Sequence, residues 1–307
     1  MYGQMVVMMY FIMDMQEGLK QAREMGDKVI IGVHTNKDIE ENKSLPVLFD
    51  NERVECVKAC RWVDEVVLGS PFVTNIDIVK KYGCDIIMHG NDPISDVSGE
   101  DCYAYAKKMN MFREFDRTPT TSTTNIIGRM LLRKNKIYHV DSKRLEEYEK
   151  ELALPKKERN GKIGYIFGTF DLYHAGHAAI LKEAKNRCDY LILGLFTDKK
   201  VKEVENIYPL LNYKERKLTL LSNRYIDEII EAPAELNIQF IEENKIEKIY
   251  KGKILNKNYK DELYLIEKNK IEEIETEYSY LTAEVIAKRV CDNYTLYEER
   301  QRKRGAK

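Results

Sequence analysis

The chain has 307 residues, 43% of them hydrophobic and 33% charged, with 50 Lys and Arg against 51 Asp and Glu. That leaves enough apolar material for two ordinary cores, and the balanced charge excludes a disordered chain and a nucleic-acid binder held by bulk charge. Six scattered cysteines with no CxxC pair offer no zinc site and fit a reduced, intracellular protein. No apolar run reaches the roughly 18 residues a membrane span needs, and the Met-rich start carries Asp14 and lacks the basic region of a secretory signal.

In chain order, Leu19 to Val33 (LKQAREMGDKVIIGV) reads as an amphipathic helix, an Asp turn and an apolar strand ending beside Gly. The same phrase returns at Leu181 to Leu195 (LKEAKNRCDYLILGL), 162 residues later. Pro46 to Arg53 then matches Pro209 to Arg216, and Trp62 to Val67 (WVDEVV) matches Tyr225 to Ile230 (YIDEII), both at an offset of 163. The chain is therefore a tandem duplication. Each half gives a further helix and strand, Ile76 to Met88 and Leu236 to Ile249, followed by His89-Gly90 or Lys251-Gly252. Strands alternating with helices predict parallel sheets covered on both faces. We expect one domain over 1–140, a helix and linker over 141–160 broken by Pro155, and a second domain over 161–307.

Ile163 to His177 reads IGYIFGTFDLYHAGH: a strand, a glycine turn, then two of the five histidines at the start of a helix. Spacing i, i+3 puts His174 and His177 on one helical face, while Ala175 and Gly176 let a ligand approach the backbone. A helix N-terminus adds free N–H groups and a positive dipole end, which suit a phosphate.

GTFDLYHAGH resembles the HxGH cytidylyltransferases of the nucleotidyltransferase superfamily. Choline-phosphate and glycerol-3-phosphate members are single-unit proteins, whereas the ethanolamine-phosphate members have two units. The first half is similar to the latter in GVHTNKDI (Gly32 to Ile39), RWVDEVV (Arg61 to Val67), MHGND (Met88 to Asp92) and RTPTTSTTNIIGRMLL (Arg117 to Leu132). The resemblance implies attack on the α-phosphate of CTP with release of pyrophosphate, Mg2+ on the phosphates, and histidines that stabilise the developing charge. It assigns catalytic roles to Lys43, His174 and His177. Nucleotide binding falls to Gly168, Thr169, Phe170, His89, Arg117 and Thr118, with Ser122, Thr123 and Thr124 as a polar turn around the triphosphate that would also cap a helix. Trp62, Asp64 and Asp92 would serve the phosphoethanolamine.

Neither half is complete. In the second, the lysine loop reads KEVENIYP, with Glu205 and only Lys202 close by, and the threonine segment is reduced to EYSYLTAE with Thr282. In the first, the HxGH slots are Ile12 and Met15, which cannot donate hydrogen bonds to phosphate. The genetic code suggests a cause. When Met1 to Gln16 is back-translated and read with codon boundaries moved back one base, every choice of synonyms forces Val, Gly, Asp, Val, Gly and Ala. The forced Gly, Asp, Gly and Ala align with Gly168, Asp171, Gly176 and Ala178, and histidine codons are permitted at both slots. Residues 1–16 thus read as a frameshifted DGCYDxxHYGHA motif, which also explains six methionines in sixteen residues.

The expectation is two doubly wound α/β domains forming a pseudo-dimer, with sites beyond the carboxyl ends of the strands. The implied activity is CTP plus phosphoethanolamine to CDP-ethanolamine, in a cytoplasmic protein at the periphery of the endoplasmic reticulum. A catalytically impaired nucleotide-binding scaffold and a cytidylyltransferase for another phosphorylated alcohol stand as alternatives.

Overall fold

The computed structural model describes residues 3–8, 16–42, 45–91, 99–115, 123–132, 136–138, 142–252 and 270–297. In the first repeat these form β1 (Gly3–Met8), α1 (Gln16–Met25), β2 (Lys28–Val33), α2 (Asn36–Asn42), α3 (Asp50–Lys58), β3 (Glu65–Leu68), α4 (Ile76–Lys81), β4 (Cys84–Gly90), α5 (Ala104–Lys108), β5 (Phe112–Phe115) and α6 (Thr123–Leu132). Helix α7 (Ser142–Glu151) follows, and Pro155 lies in the irregular stretch after it, where the sequence predicts a helix and linker. The second repeat gives β6 (Ile163–Gly168), α8 (Ala175–Lys185), β7 (Tyr190–Leu195), α9 (Asp198–Glu205), α10 (Tyr213–Leu221), β8 (Glu228–Glu231), α11 (Ile238–Glu243), β9 (Lys248–Gly252), β10 (Ile271–Ile274) and α12 (Ala283–Asp292).

Two five-stranded sheets result, ordered β3-β2-β1-β4-β5 and β10-β9-β6-β7-β8. Read from opposite edges they are the same order, and every pairing is parallel. The doubly wound fold predicted from the sequence is present in both repeats, and its switch point lies beside the central strand, β1 or β6. In the second sheet helices cover both faces, so β6 is buried at five of its six positions and β7 at all six.

One register differs between the repeats. Met8 faces Val33 where Gly168 faces Leu195. Val33 and Leu195 keep the offset of 162, whereas Met8 and Gly168 are 160 apart, so β1 sits two residues along from the alignment of its repeat.

Contacts divide the chain into two compact units, Met1–Ile127 with Arg289–Lys307, and Gly128–Lys288. These limits differ from the expected boundaries at 140 and 161, because the last helix of each repeat changes unit along its length. Residues of α6 from Gly128 onward belong to unit 2, and residues of α12 from Arg289 onward belong to unit 1.

Candidate active site in the second repeat and its counterpart in the first

Strand β6 carries the chain to Gly168 at the carboxyl edge of its sheet, beside Leu195. The turn that follows is strained: Phe170 and Leu172 have left-handed backbones, with φ of 50° and 46°. Asp171 between them holds it. Its carboxylate accepts the N–H groups of Leu172 at 3.0 Å, Leu210 at 2.6 Å and Leu211 at 3.0 Å, while burial outweighs these bonds and pushes its pKa up to about 6.

The turn delivers His174 as the N-cap of α8, with Nδ1 accepting the Gly176 N–H at 3.1 Å. His177 stacks on it, ring centroids 3.8 Å apart, as the i, i+3 spacing predicts. Phe170 and Tyr173 stand 5.0 and 5.9 Å from the His177 ring. Burial pushes the His177 pKa down to about 3, and its buried Nδ1 has no hydrogen-bond partner among the described residues. A side chain at Gly176 would bring Cβ to 2.9 Å from both the His174 ring and the Leu281 carbonyl oxygen, so this close approach requires glycine.

Gly168, Thr169, Phe170, His174 and His177 line one cavity of about 550 Å³, whose wall also includes Thr276, Tyr278, Leu281 and Glu284. All the second-repeat residues named from the sequence therefore meet. Glu205, 162 positions after Lys43, also lines it and accepts the Thr169 hydroxyl proton. Burial raises the Glu205 pKa most strongly, with the Thr169 bond acting against it. Lys202 does not replace the missing cation, since its Nζ donates to the Asn206 carbonyl at 2.7 Å and sits over the Tyr208 ring. Lys251, in the place of His89, lines the cavity and pairs with Glu273 at 2.7 Å. Sequence reasoning missed the part played by Asp171 and the presence of Glu284 in the wall. The first was signalled by the forced Asp of the shifted reading, the second only by a charge in a decayed segment.

In the first repeat, His89 lies at the carboxyl end of β4, buried against Tyr103, with Nδ1 2.9 Å from the Gly90 carbonyl oxygen. Helix α6 starts at Thr123, so Thr123 and Thr124 stand in its first turn. Lys43, Asp92, Arg117, Thr118, Ser122, Ile12 and Met15 lie outside the described residues.

Trp62 and Asp64 are placed elsewhere than expected. Asp64 accepts the Val29 N–H at 2.7 Å and pairs with Arg23, whose Nη2 also donates to the Trp62 carbonyl at 3.1 Å. Val29 is the second residue of β2, so this cluster is at the amino edge of the sheet, whereas ligands bind beyond the carboxyl edge. Asp227 repeats the arrangement in the second sheet, accepting the Leu191 N–H at 2.9 Å and pairing with Lys157 and Lys185 at 2.6 Å. The shared WVDEVV and YIDEII phrase is thus a strand-start lock, and the substrate roles read for Trp62 and Asp64 are corrected to structural ones.

The shared ER pair is also structural. Arg216 is fully buried and donates to the carbonyls of Thr169 at 2.6 Å, Phe196 at 2.8 Å and Leu211 at 3.0 Å, and to Asp198 at 2.7 Å. Arg53 bonds the His34 carbonyl at 2.6 Å and Asn36 at 2.7 Å in the same way. Each arginine ties the end of its second strand to the following loop.

The cytidylyltransferase-like family model matches residues 17–129 and 165–297, and the chain belongs to that family. It is 40% identical to a probable ethanolamine-phosphate cytidylyltransferase of Encephalitozoon cuniculi, over 94% of this chain and 92% of that one. It is 34% identical to the ethanolamine-phosphate cytidylyltransferase of Dictyostelium discoideum, over 94% and 90% of the two chains. Choline-phosphate cytidylyltransferase A of Rattus norvegicus is 32% identical over only 34% of this chain and 28% of its own length.

Proposed function

We propose that this chain is an ethanolamine-phosphate cytidylyltransferase, forming CDP-ethanolamine and pyrophosphate from CTP and phosphoethanolamine in phosphatidylethanolamine synthesis. The observation that carries this is the sequence of the first repeat's polar segments, MHGND and RTPTTSTT, in a chain whose two repeats form separate sheets of the same strand order. Relatives of that name match the two-repeat chain almost end to end.

The chemistry is in-line displacement at the α-phosphate, so the protein's task is positioning and charge stabilisation. In this reading Lys43 and Arg117 act on the phosphates, and Thr118 with Ser122 to Thr124 bind them through hydroxyl and N–H groups. His89 and Asp92 serve the base and the amine. Mg2+ enters on the oxygens of the triphosphate. The second repeat keeps His174, His177 and the Gly168 to Phe170 turn around its own cavity.

The repeats pair as a pseudo-dimer in this reading. Its support is an exchange of arginines: Arg129 of the first repeat binds Glu215 within unit 2, and Arg289 of the second binds Glu52 within unit 1. Among the described residues no helix is long and apolar enough to cross a membrane. The proposed activity, on soluble substrates of a phospholipid pathway, is what places the enzyme in the cytoplasm at the periphery of the endoplasmic reticulum in this reading.

The test is direct assay of the full chain with CTP and a panel of phosphoethanolamine, phosphocholine and glycerol 3-phosphate, following the CDP ester by mass spectrometry. CDP-ethanolamine as the main product confirms the reading. Preference for another phosphorylated alcohol overturns it. Because Ile12 and Met15 stand in the histidine slots, the written chain is expected to turn over slowly, and stabilisation by nucleotide without any turnover would favour the scaffold instead.

A further inference from the structure

The second-repeat cavity carries a charge opposite to that of the first repeat at the equivalent position. Glu205 occupies the counterpart of Lys43, Glu284 lines the same cavity and adds to the repulsion felt by Glu205, and Asp171 lies at its base. Lys251 is the ammonium in the wall among the described residues, and it is paired with Glu273. The buried guanidinium of Arg216 is engaged by three carbonyls and Asp198. Burial disfavours the protonated form of His177, which stacks on His174, and its buried Nδ1 has no hydrogen-bond partner among the described residues. A triphosphate would place three phosphates against Glu205 and Glu284 with little cationic counterpart.

The remainder of the cavity still suits a nucleotide. Phe170, Tyr208 and Tyr278 offer aromatic faces, the turn after β6 and His177 offer polar groups for phosphate, and about 550 Å³ accommodates a nucleotide-sized molecule. We propose that this cavity is a separate, non-catalytic site for a nucleotide ester ending in an ammonium group, the chemical class of the reaction's product, and that Glu205 selects the ammonium over a triphosphate. Choosing CDP-ethanolamine as the ligand rests on the function proposed above; the charge inversion does not.

The readout is local. The chain has five histidines, and in the full protein labelled with 13C at the imidazole Cε1 the signals of His174 and His177 report this cavity, while His89 reports the first repeat. CDP-ethanolamine should move the His174 and His177 signals at lower concentration than CMP, and CMP at lower concentration than CTP with or without Mg2+. Glu205→Gln should weaken CDP-ethanolamine about tenfold and leave CMP nearly unchanged, as expected for loss of one partly buried ion pair. Glu205→Lys should reverse the order in favour of CTP, with an unchanged circular-dichroism spectrum and denaturation midpoint showing that the protein is folded. Tighter binding of CTP than CDP-ethanolamine by the unmodified chain, or an order unaltered by Glu205→Lys, overturns the proposal. Catalytic turnover is not part of this measurement, so the proposed activity and the proposed site fail independently.

Discussion

Arg129 and Glu215 form a two-pronged ion pair, Nη1 to Oε2 at 2.9 Å and Nη2 to Oε1 at 3.0 Å, in which both side chains are almost completely buried. Glu215 is at the same time the N3 residue of a capping box with Asn212 at the start of α10. Arg129 also holds the Leu210 carbonyl at 2.9 Å, and the N–H of Leu210 is bound by Asp171. One arginine from the first repeat therefore braces the loop that supports the second-repeat histidines.

Removing one member of such a pair leaves a buried charge without compensation, which typically costs about 3–5 kcal/mol. Arg129→Ala is expected to lower the unfolding free energy of unit 2 by that order, and Arg129→Met with Glu215→Leu should recover most of the loss. Chemical denaturation of the full chain, followed by circular dichroism, measures both. If Arg129→Ala melts like the unmodified chain, the brace is unimportant.

Asp64 gives a second test, because its sequence context suggested the amine and its geometry says otherwise. Asp64→Asn should reduce stability by about 1–3 kcal/mol, since an acceptor for the Val29 N–H and the Arg23 guanidinium is weakened. The KM for phosphoethanolamine should stay within about twofold of the parent. A large rise in KM at unchanged stability would return Asp64 to the substrate.

At Gly176 the space is already taken. Gly176→Ala forces Cβ against the His174 ring and the Leu281 carbonyl, so His174 must leave its cap position or the far wall must retreat. Strain of this kind costs roughly 1–3 kcal/mol, and nucleotide should bind at least tenfold more weakly, by calorimetry, than to the parent. Equal affinity in the variant would mean that the close approach has no functional weight.

The cavity contains two groups whose protonation acts on stability in opposite directions. His177 has a depressed folded pKa, so the unfolded chain takes up its proton first and stability is lost as pH falls from about 6.5 toward 3. Asp171 has a raised folded pKa, so its contribution is lost as pH rises from 3.8 toward about 6. Relative to the parent, His177→Gln should gain stability between pH 6.5 and 4.5, and Asp171→Asn should gain it between pH 4 and 6. Urea midpoints at matched pH decide this; a pH-independent difference for either variant removes that group from the account.

The duplication made most of the fold legible, because a buried parallel strand and its covering helix leave an apolar pattern that survives in both copies. Strands β5 and β10 were not legible. Each has four residues, and Ile271–Ile274 is half glutamate, so an edge strand of that length has no clear period. The histidine pair was legible from spacing alone. Trp62 and Asp64 misled, because a phrase kept in both repeats carries the same signal whether it locks a strand start or touches a substrate; only the edge of the sheet on which it falls separates the two. Glu205 could be aligned with Lys43 by arithmetic, but that its carboxylate enters the cavity depends on where α9 ends, which the sequence does not reveal.

The first sixteen residues supply the last prediction. Reading the shifted frame places a forced Asp opposite Asp171, and the structure now shows what that residue does: it binds two N–H groups of the loop after α9 and so holds the histidine turn closed. A forced Gly falls opposite Gly176, where a side chain does not fit. Both are positions with a physical demand, and neither match came from comparison with other proteins. The written residues meanwhile pair two places out of the repeat's register, Met8 taking the position of Gly168. Resequencing across codons 1 to 17 should therefore show one base missing or extra near codon 16. A protein restored to the shifted frame should gain two imidazole donors at the phosphates, each worth about 2.7–4 kcal/mol or a hundred- to thousandfold in rate. That gain should disappear in Lys43→Ala and Arg117→Ala variants while surviving His174→Ala, because the chemistry then belongs to the first repeat. Genomic and transcript reads that agree with the written frame would make the Met-rich segment a genuine loss of the first site, and the restored protein would then have no natural counterpart.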